Sequence, residues 1–246
     1  GVDRYIRVLL KYLNQDKFEN ILVCSQYFDV KDYEKENGGV IFPNPNAPTG
    51  VYMPLDQVEE ILKANQDVVV IVDEAYVDFA GPSALELLDK YENLLVVQTF
   101  SKSRSMAGMR IGFAMGHPDL IRALNDVKYS YNSYTMNLPS LLAGVEAVKD
   151  KEYFEKTIEK IVATREHAKK RLTELGFTFP NSQSNFIFAS HKSVPAEKIF
   201  EALKKEQIYV RYFKTPGLDN SLRISIGTDE EMDTLFRFLE AYLPNA

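Results

Sequence analysis

The chain has 246 residues, 29 basic and 35 acidic side chains and a formal charge of −6, which argues against nucleic acid as its main partner. With apolar residues at 45% and charged residues at 26%, it reads as a globular protein able to bury one large core or two smaller ones. No apolar run approaches a membrane span, no signal peptide opens the sequence, the single Cys24 excludes an internal disulfide and suits a reducing cytoplasm, and His117, His167 and His191 lack metal-ligand spacing.

In chain order, Val2–Asn20 reads as a basic amphipathic helix, apolar at Tyr5, Ile6, Val8, Leu9, Leu10, Tyr12 and Leu13. A short strand, Val40–Phe42, runs into Pro43-Asn44-Pro45-Asn46-Ala47-Pro48-Thr49-Gly50, whose prolines and glycine predict a stiff, poorly hydrogen-bonded loop. A helix over Leu55–Ala64 follows. Val68–Val72 then reads as a strand buried on both faces, as in a parallel sheet, ending in Asp73-Glu74-Ala75-Tyr76. The next elements are a helix near Ala84–Lys90, a strand at Leu94–Thr99, a strand at Arg110–Met115 and helices at Pro118–Tyr129 and Leu138–Asp150. A long helix spans Glu152–Leu175 and stops at Gly176. Beyond it come strands at Asn185–Ala189, Ile208–Tyr212 and Leu222–Gly227 and helices at Ala196–Glu206 and Asp229–Leu243. The alternation implies an α/β fold with a mainly parallel sheet flanked by helices over residues 1–150, and a smaller α+β domain over 151–246.

Beside the proline loop, two stretches carry chemistry. In Thr99-Phe100-Ser101-Lys102, at the end of an apolar strand, a lysine stands among hydroxyl residues, with Gly108 and Arg110 just beyond. Lysine amines form Schiff bases with carbonyls, and pyridoxal phosphate is the common carbonyl cofactor treated this way. Its phosphate requires hydroxyl donors and a fixed cation, which Thr99, Ser101 and Arg110 supply in this reading. Asp73, at the carboxyl end of a buried strand, suits the anionic partner that keeps a pyridine nitrogen protonated, and Tyr76 suits a donor to the ring oxygen. The competing reading of Asp73 is a strand-terminal cap on the next turn. A strand arginine such as Arg211 or Arg223 is either paired within the structure or aimed at a ligand.

Taken together and in order, Asn-Pro-Asn-Ala-Pro-Thr-Gly, Val-Asp-Glu-Ala-Tyr, Thr-Phe-Ser-Lys with Gly-Met-Arg-Ile-Gly, and Leu-Arg-Ile-Ser-Ile-Gly resemble the fold-type I pyridoxal-phosphate aminotransferases, in particular the histidinol-phosphate aminotransferase branch. The resemblance runs from about Asp32 to Leu243. It implies a PLP-dependent transferase with Lys102 as the Schiff-base lysine and the base that moves the α-proton. It likewise implies Asp73 on the pyridine nitrogen, Tyr76 on the ring oxygen, and Thr99, Ser101 and Arg110 around the phosphate. Arg223 and Arg211 match arginines that grip a substrate carboxylate or phosphate, and Asn185 matches an asparagine near the substrate. Most relatives have asparagine where this chain has Ala47, which makes the neighbouring Asn46 the candidate ring-oxygen ligand. The family also places a glycine phosphate turn and a ring-stacking aromatic upstream. No glycine lies between Val2 and Asn37, so part of the N-terminal pattern reads as lacking, with Tyr27 and Phe28 the available aromatics.

The activity the resemblance implies is transamination between L-histidinol phosphate and 2-oxoglutarate in histidine biosynthesis, by a cytoplasmic homodimer whose small-domain residues meet Lys102 in a cleft. No metal, membrane or nucleic-acid partner is expected. The alternatives are an aromatic amino-acid aminotransferase, a decarboxylase of the same fold, or a truncated chain unable to hold the cofactor.

Overall fold

The structure, a computed structural model, describes residues 37–246 and, by its backbone alone, the segment 20–22. The amphipathic helix expected before residue 20, Cys24, Tyr27 and Phe28 lie outside the described residues. Asn20, expected to close that helix, instead opens a strand. The chain divides into two compact units. One comprises, among the described residues, the chain up to Asn44 together with Met53–Ala75 and Pro82–Val145. The other comprises Pro45–Tyr52, Tyr76–Gly81 and Glu146–Ala246.

The first unit is built on a five-stranded sheet in the order β1 (Asn20–Leu22), β2 (Gly39–Pro43), β3 (Val70–Asp73), β4 (Leu94–Thr99) and β5 (Gly112–Gly116). The first four strands are parallel and β5 runs antiparallel to β4. Residues 100–111 form turns and no α-helix, so the chain reverses after β4 instead of crossing over. The registers Pro43↔Asp73 and Asp73↔Val97 end β2 and β3 side by side, two residues short of the end of β4. Helix α1 (Leu55–Ala64) lays Val58, Ile61 and Leu62, at i, i+3 and i+4, on the buried Phe42, Val70, Val72, Leu94 and Val96. Strand β3 alternates buried Val70 and Val72 with half-buried Ile71 and Asp73, so it is not sealed equally on both faces as its apolar run suggested.

The helix expected near Ala84–Lys90 is a single 3₁₀ turn, Ala84–Leu87. Its three-residue pitch lines up Ala84 and Leu87, which are both buried. The buried Glu74 carboxylate fastens its start, accepting from Ser83 Oγ at 2.5 Å and from the Ala84 N–H at 2.6 Å. Arg110 and Ile111 do not belong to β5. Arg110 is left-handed (φ 58°), which ends the 3₁₀ turn Ala107–Met109 and delays the strand to Gly112. Helices α2 (Pro118–Tyr131) and α3 (Leu138–Lys149) follow.

In the second unit, α4 (Lys151–Glu174) buries Arg165, Ala168 and Leu172 and is closed by Gly176 at φ +83°. An antiparallel sheet in the order β6 (Phe177–Thr178), β7 (Phe186–His191), β9 (Leu222–Ser225), β8 (Arg211–Tyr212) carries α5 (Ala196–Lys205) and α6 (Asp229–Tyr242). Thr228 and Glu231 form a capping box at the start of α6. Because strand side chains alternate, Ile187, Ala189, Leu222 and Ile224 face the helices and join the core. Phe186, Phe188 and Arg223 therefore stand on the other face, with Arg211 beside them. The strand expected over Ile208–Tyr212 survives only as Arg211–Tyr212.

Candidate active site

In the first unit the parallel strand ends present Asp73 and, past β4, Lys102. Asp73 Oδ1 accepts the Ala75 N–H at 3.1 Å. Burial pushes the Asp73 carboxyl up from its usual range, opposed by that N–H and by the positive charge of Lys102. A largely desolvated carboxylate held near a lysine ammonium is equipped to receive a cationic N–H.

Lys102 sits in a loop closed by Phe100 N–H to Ile111 O (3.1 Å) and Met106 N–H to Phe100 O (3.0 Å). The Thr99 hydroxyl lies 2.9 Å from Ser101 Oγ and 3.1 Å from Ile111 O, and it accepts the Ser101 N–H at 3.1 Å. Two non-glycine residues, Ser105 (φ 54°) and Arg110 (φ 58°), hold left-handed backbone within this loop, a cost typical of functional turns. Arg110 is exposed and donates Nη1 to Ala107 O at 3.0 Å. Thr99, Ser101, Lys102 and Arg110 thus share one loop system. It can supply hydroxyls and a guanidinium to an anion, and the residues present fit the phosphate and ring nitrogen of pyridoxal phosphate.

The second unit holds Asn46, Tyr76, Asn185, Arg211 and Arg223. The proline loop is densely hydrogen-bonded, contrary to the expectation from its composition. Gly50 N–H reaches Asn46 O at 2.7 Å, Asn46 N–H reaches Val51 O at 2.8 Å, and Asn46 Nδ2 donates to Thr49 Oγ1 at 2.7 Å. Its asparagines replace the ladder that the prolines forgo. Asn44, which the sequence reading passed over, brackets Met53 from both sides, donating Nδ2 to Met53 O and accepting Met53 N–H through Oδ1. Within the second unit, Gln183 N–H donates to Gly50 O at 2.8 Å, joining the proline loop to the loop before Asn185. Arg165, also unforeseen, donates Nη1 to Phe79 O (2.9 Å) and Ser184 O (3.1 Å), tying the turn after Tyr76 to the same loop.

The arginines lie on the face of the small sheet turned away from its helices, directly opposite one another across β8 and β9. Arg223 stacks on Phe186 at 5.2 Å and Phe213 at 5.8 Å, and Arg211 on Phe213 at 5.3 Å. Tyr76 meets Phe186 edge-on at 5.1 Å. The Arg223 Nε–H is buried and has no hydrogen-bond partner. Among the described residues neither arginine pairs with a carboxylate. Two opposed cations with an unmatched donor are an arrangement suited to an anionic group. The three phenylalanines were unmarked in the sequence, although the spacings Phe186-x-Phe188 and Arg211-x-Phe213 place each pair on one strand face.

No described group of histidine, cysteine and carboxylate side chains fits a metal ion, and no described helix is long and apolar enough to cross a membrane.

The parallel sheet with its lysine turn and the small antiparallel sheet define the fold of an aminotransferase. The chain belongs to the aminotransferase class I and II family, which it matches over residues 13–239. Within that family it is similar to histidinol-phosphate aminotransferases. The one from Brachyspira hyodysenteriae is 52% identical over 88% of this chain and 62% of its own length. That from Clostridium acetobutylicum is 54% identical over 83% of this chain and 58% of its own length. The chain therefore spans about three fifths of the length of these relatives. The crystal structure of histidinol-phosphate aminotransferase from Sinorhizobium meliloti in complex with pyridoxal-5'-phosphate superposes with a TM-score of 0.74 at 27% identity. The superposition covers 85% of this chain and 56% of that one.

Proposed function

We propose that this chain carries the catalytic lysine of a cytoplasmic, pyridoxal-phosphate-dependent aminotransferase that converts L-histidinol phosphate with 2-oxoglutarate in histidine biosynthesis. The observation that carries the reading is the half-buried Asp73 carboxylate at the end of β3, desolvated and under the charge of Lys102 in the turn after β4. When bound, the cofactor supplies an electron sink for the carbanion formed at the substrate α-carbon. Asp73 holds the proton on the ring nitrogen, which makes that sink effective. Lys102 Nζ would hold the cofactor's carbonyl carbon and, when free, would serve as the base that moves the substrate α-proton. Thr99, Ser101 and Arg110 hold the cofactor phosphate. Tyr76 donates to the ring oxygen. Asn46, whose Nδ2 donates to Thr49 Oγ1 at 2.7 Å, is the candidate second donor to that oxygen. Arg211 and Arg223 would take the anionic end of the amino donor, with Asn185, whose carbonyl accepts the Ile226 N–H just past β9, near the substrate.

We further propose a homodimer. Leu138, Leu141, Leu142 and Val145 of α3, with Leu124, Val127 and Tyr131 of α2, are exposed, an apolar face suited to burial against a second copy.

The test is spectroscopic. Added pyridoxal phosphate should give an absorption band above the protein's own, borohydride should fix the cofactor's mass on Lys102, and L-histidinol phosphate should bleach the band. Lys102→Ala should abolish the covalent link. A band that survives that substitution overturns the assignment of Lys102. Equal bleaching by L-histidinol and its phosphate points to an aminotransferase for other donors, and carbon dioxide release to a decarboxylase. The absence of any band overturns cofactor binding by this chain.

A further inference from the structure

Arg211 and Arg223 occupy directly opposed positions on neighbouring antiparallel strands, where like charges repel. Yet neither is splayed toward a carboxylate. What holds them is aromatic. Phe213 lies within 6 Å of both guanidinium groups, 5.3 Å from Arg211 and 5.8 Å from Arg223. Its own ring meets Phe188 at 6.3 Å, and Phe188 is 5% exposed, so the shared floor is anchored in the sheet. The support is unequal. Arg223 has a second ring beneath it, Phe186, which is 2% exposed. Phe213 is the single aromatic support of Arg211 among the described residues.

We propose that Phe213 is a specificity-determining positioning residue, the one ring that keeps Arg211 beside Arg223 so that both forks close on a single dianionic phosphate. This rests on the reading of the arginine pair as the anion site. Without Phe213, Arg223 stays fixed over Phe186 and still binds a monoanionic carboxylate, whereas Arg211, an exposed and flexible cation, leaves. The ring therefore selects phosphate over carboxylate without touching either. A structural role alone would weaken both anions together.

The experiment follows the Arg Nε–H resonances of the whole chain by NMR during titration with inorganic phosphate and, separately, acetate. Phe213→Leu should weaken phosphate about tenfold and leave acetate within about twofold. Phe213→Tyr, which keeps the ring face, should retain wild-type phosphate affinity. Phe213→Met fills comparable volume without a ring, so it should match Phe213→Leu, and it decides the matter if the leucine variant fails to fold. In an Arg211→Gln background, Phe213→Leu should have no further effect on phosphate. If wild-type Arg211 and Arg223 resonances do not respond to phosphate, the anion site itself is wrong. If they respond and Phe213→Leu and Phe213→Met titrate like wild type, or lose phosphate and acetate equally, the role of Phe213 is wrong and the anion site stands.

Discussion

Asp73 shows how the placing of a single side chain bears on stability. Burial raises its carboxyl pKa in the folded chain above the unfolded value. A raised pKa means that the folded state prefers the protonated acid. Stability is then fullest below the ordinary aspartate range and declines as pH rises through the raised value. Without cofactor, Asp73→Asn should therefore raise the melting temperature by a few degrees at neutral pH, with the gain vanishing in acid. Thermal melts of both proteins across pH 3 to 8 check this, and a variant less stable than wild type at neutral pH would refute it. The same substitution should weaken pyridoxal phosphate binding. At this scale the candidate residues stand out from their neighbours in sequence: Lys102 by the hydroxyls around it, Asp73 by the apolar run before it. Phe213, Phe186 and Arg165 do not, because their contacts join residues far apart in the chain, such as Arg165 and Phe79.

Among the elements, the proline loop depends closely on one particular residue. Gly50 has φ +76°, and a methyl group built there would collide with Ser182 Oγ. Gly50→Ala should cost about 3 kcal/mol from left-handed strain and overpacking combined, read from the midpoint of denaturant unfolding. Measured against Ser182→Gly alone, which itself loses the hydroxyl's bonds to Phe186 O and the Ser184 N–H, adding Gly50→Ala should cost only the backbone strain that remains at position 50. No cost in that background would show that φ is not the constraint. Helices and strands with strong periodicity, α1, α4 and α6, lie within a residue or two of where their patterns put them. The elements that departed did so for local reasons: Glu74 fastening a 3₁₀ turn at Ala84, and left-handed Arg110 delaying β5. Helix α3 is the instructive reversal. It buries Ser140, whose hydroxyl donates to Met109 O at 2.7 Å, and Gly144, which packs on Ile111. Meanwhile its leucine stripe is exposed. The apolar pattern located the helix, and the inward face is set by the small residues that fit against Met109 and Ile111.

For the whole molecule, that outward stripe is the main open question of assembly. Sedimentation of the purified chain should give a dimer, and Leu142→Asp should shift it toward monomer with little change in the thermal melt. A monomeric wild type would overturn the homodimer and leave the face to the part of the relatives' length that has no counterpart here. The sequence by itself determined the α/β class, the strand ends that carry Asp73 and Lys102, and the family, because these follow from short-range patterns: apolar runs, turn residues and motifs a few positions long. Only the tertiary structure decided that Arg211 and Arg223 face one another over a common ring, that the proline loop is tied to the loop before Asn185, and that β5 turns back on β4. Those are matters of register and of contacts between distant segments. They depend on which faces of separate strands and loops meet, and no local pattern in the chain encodes that.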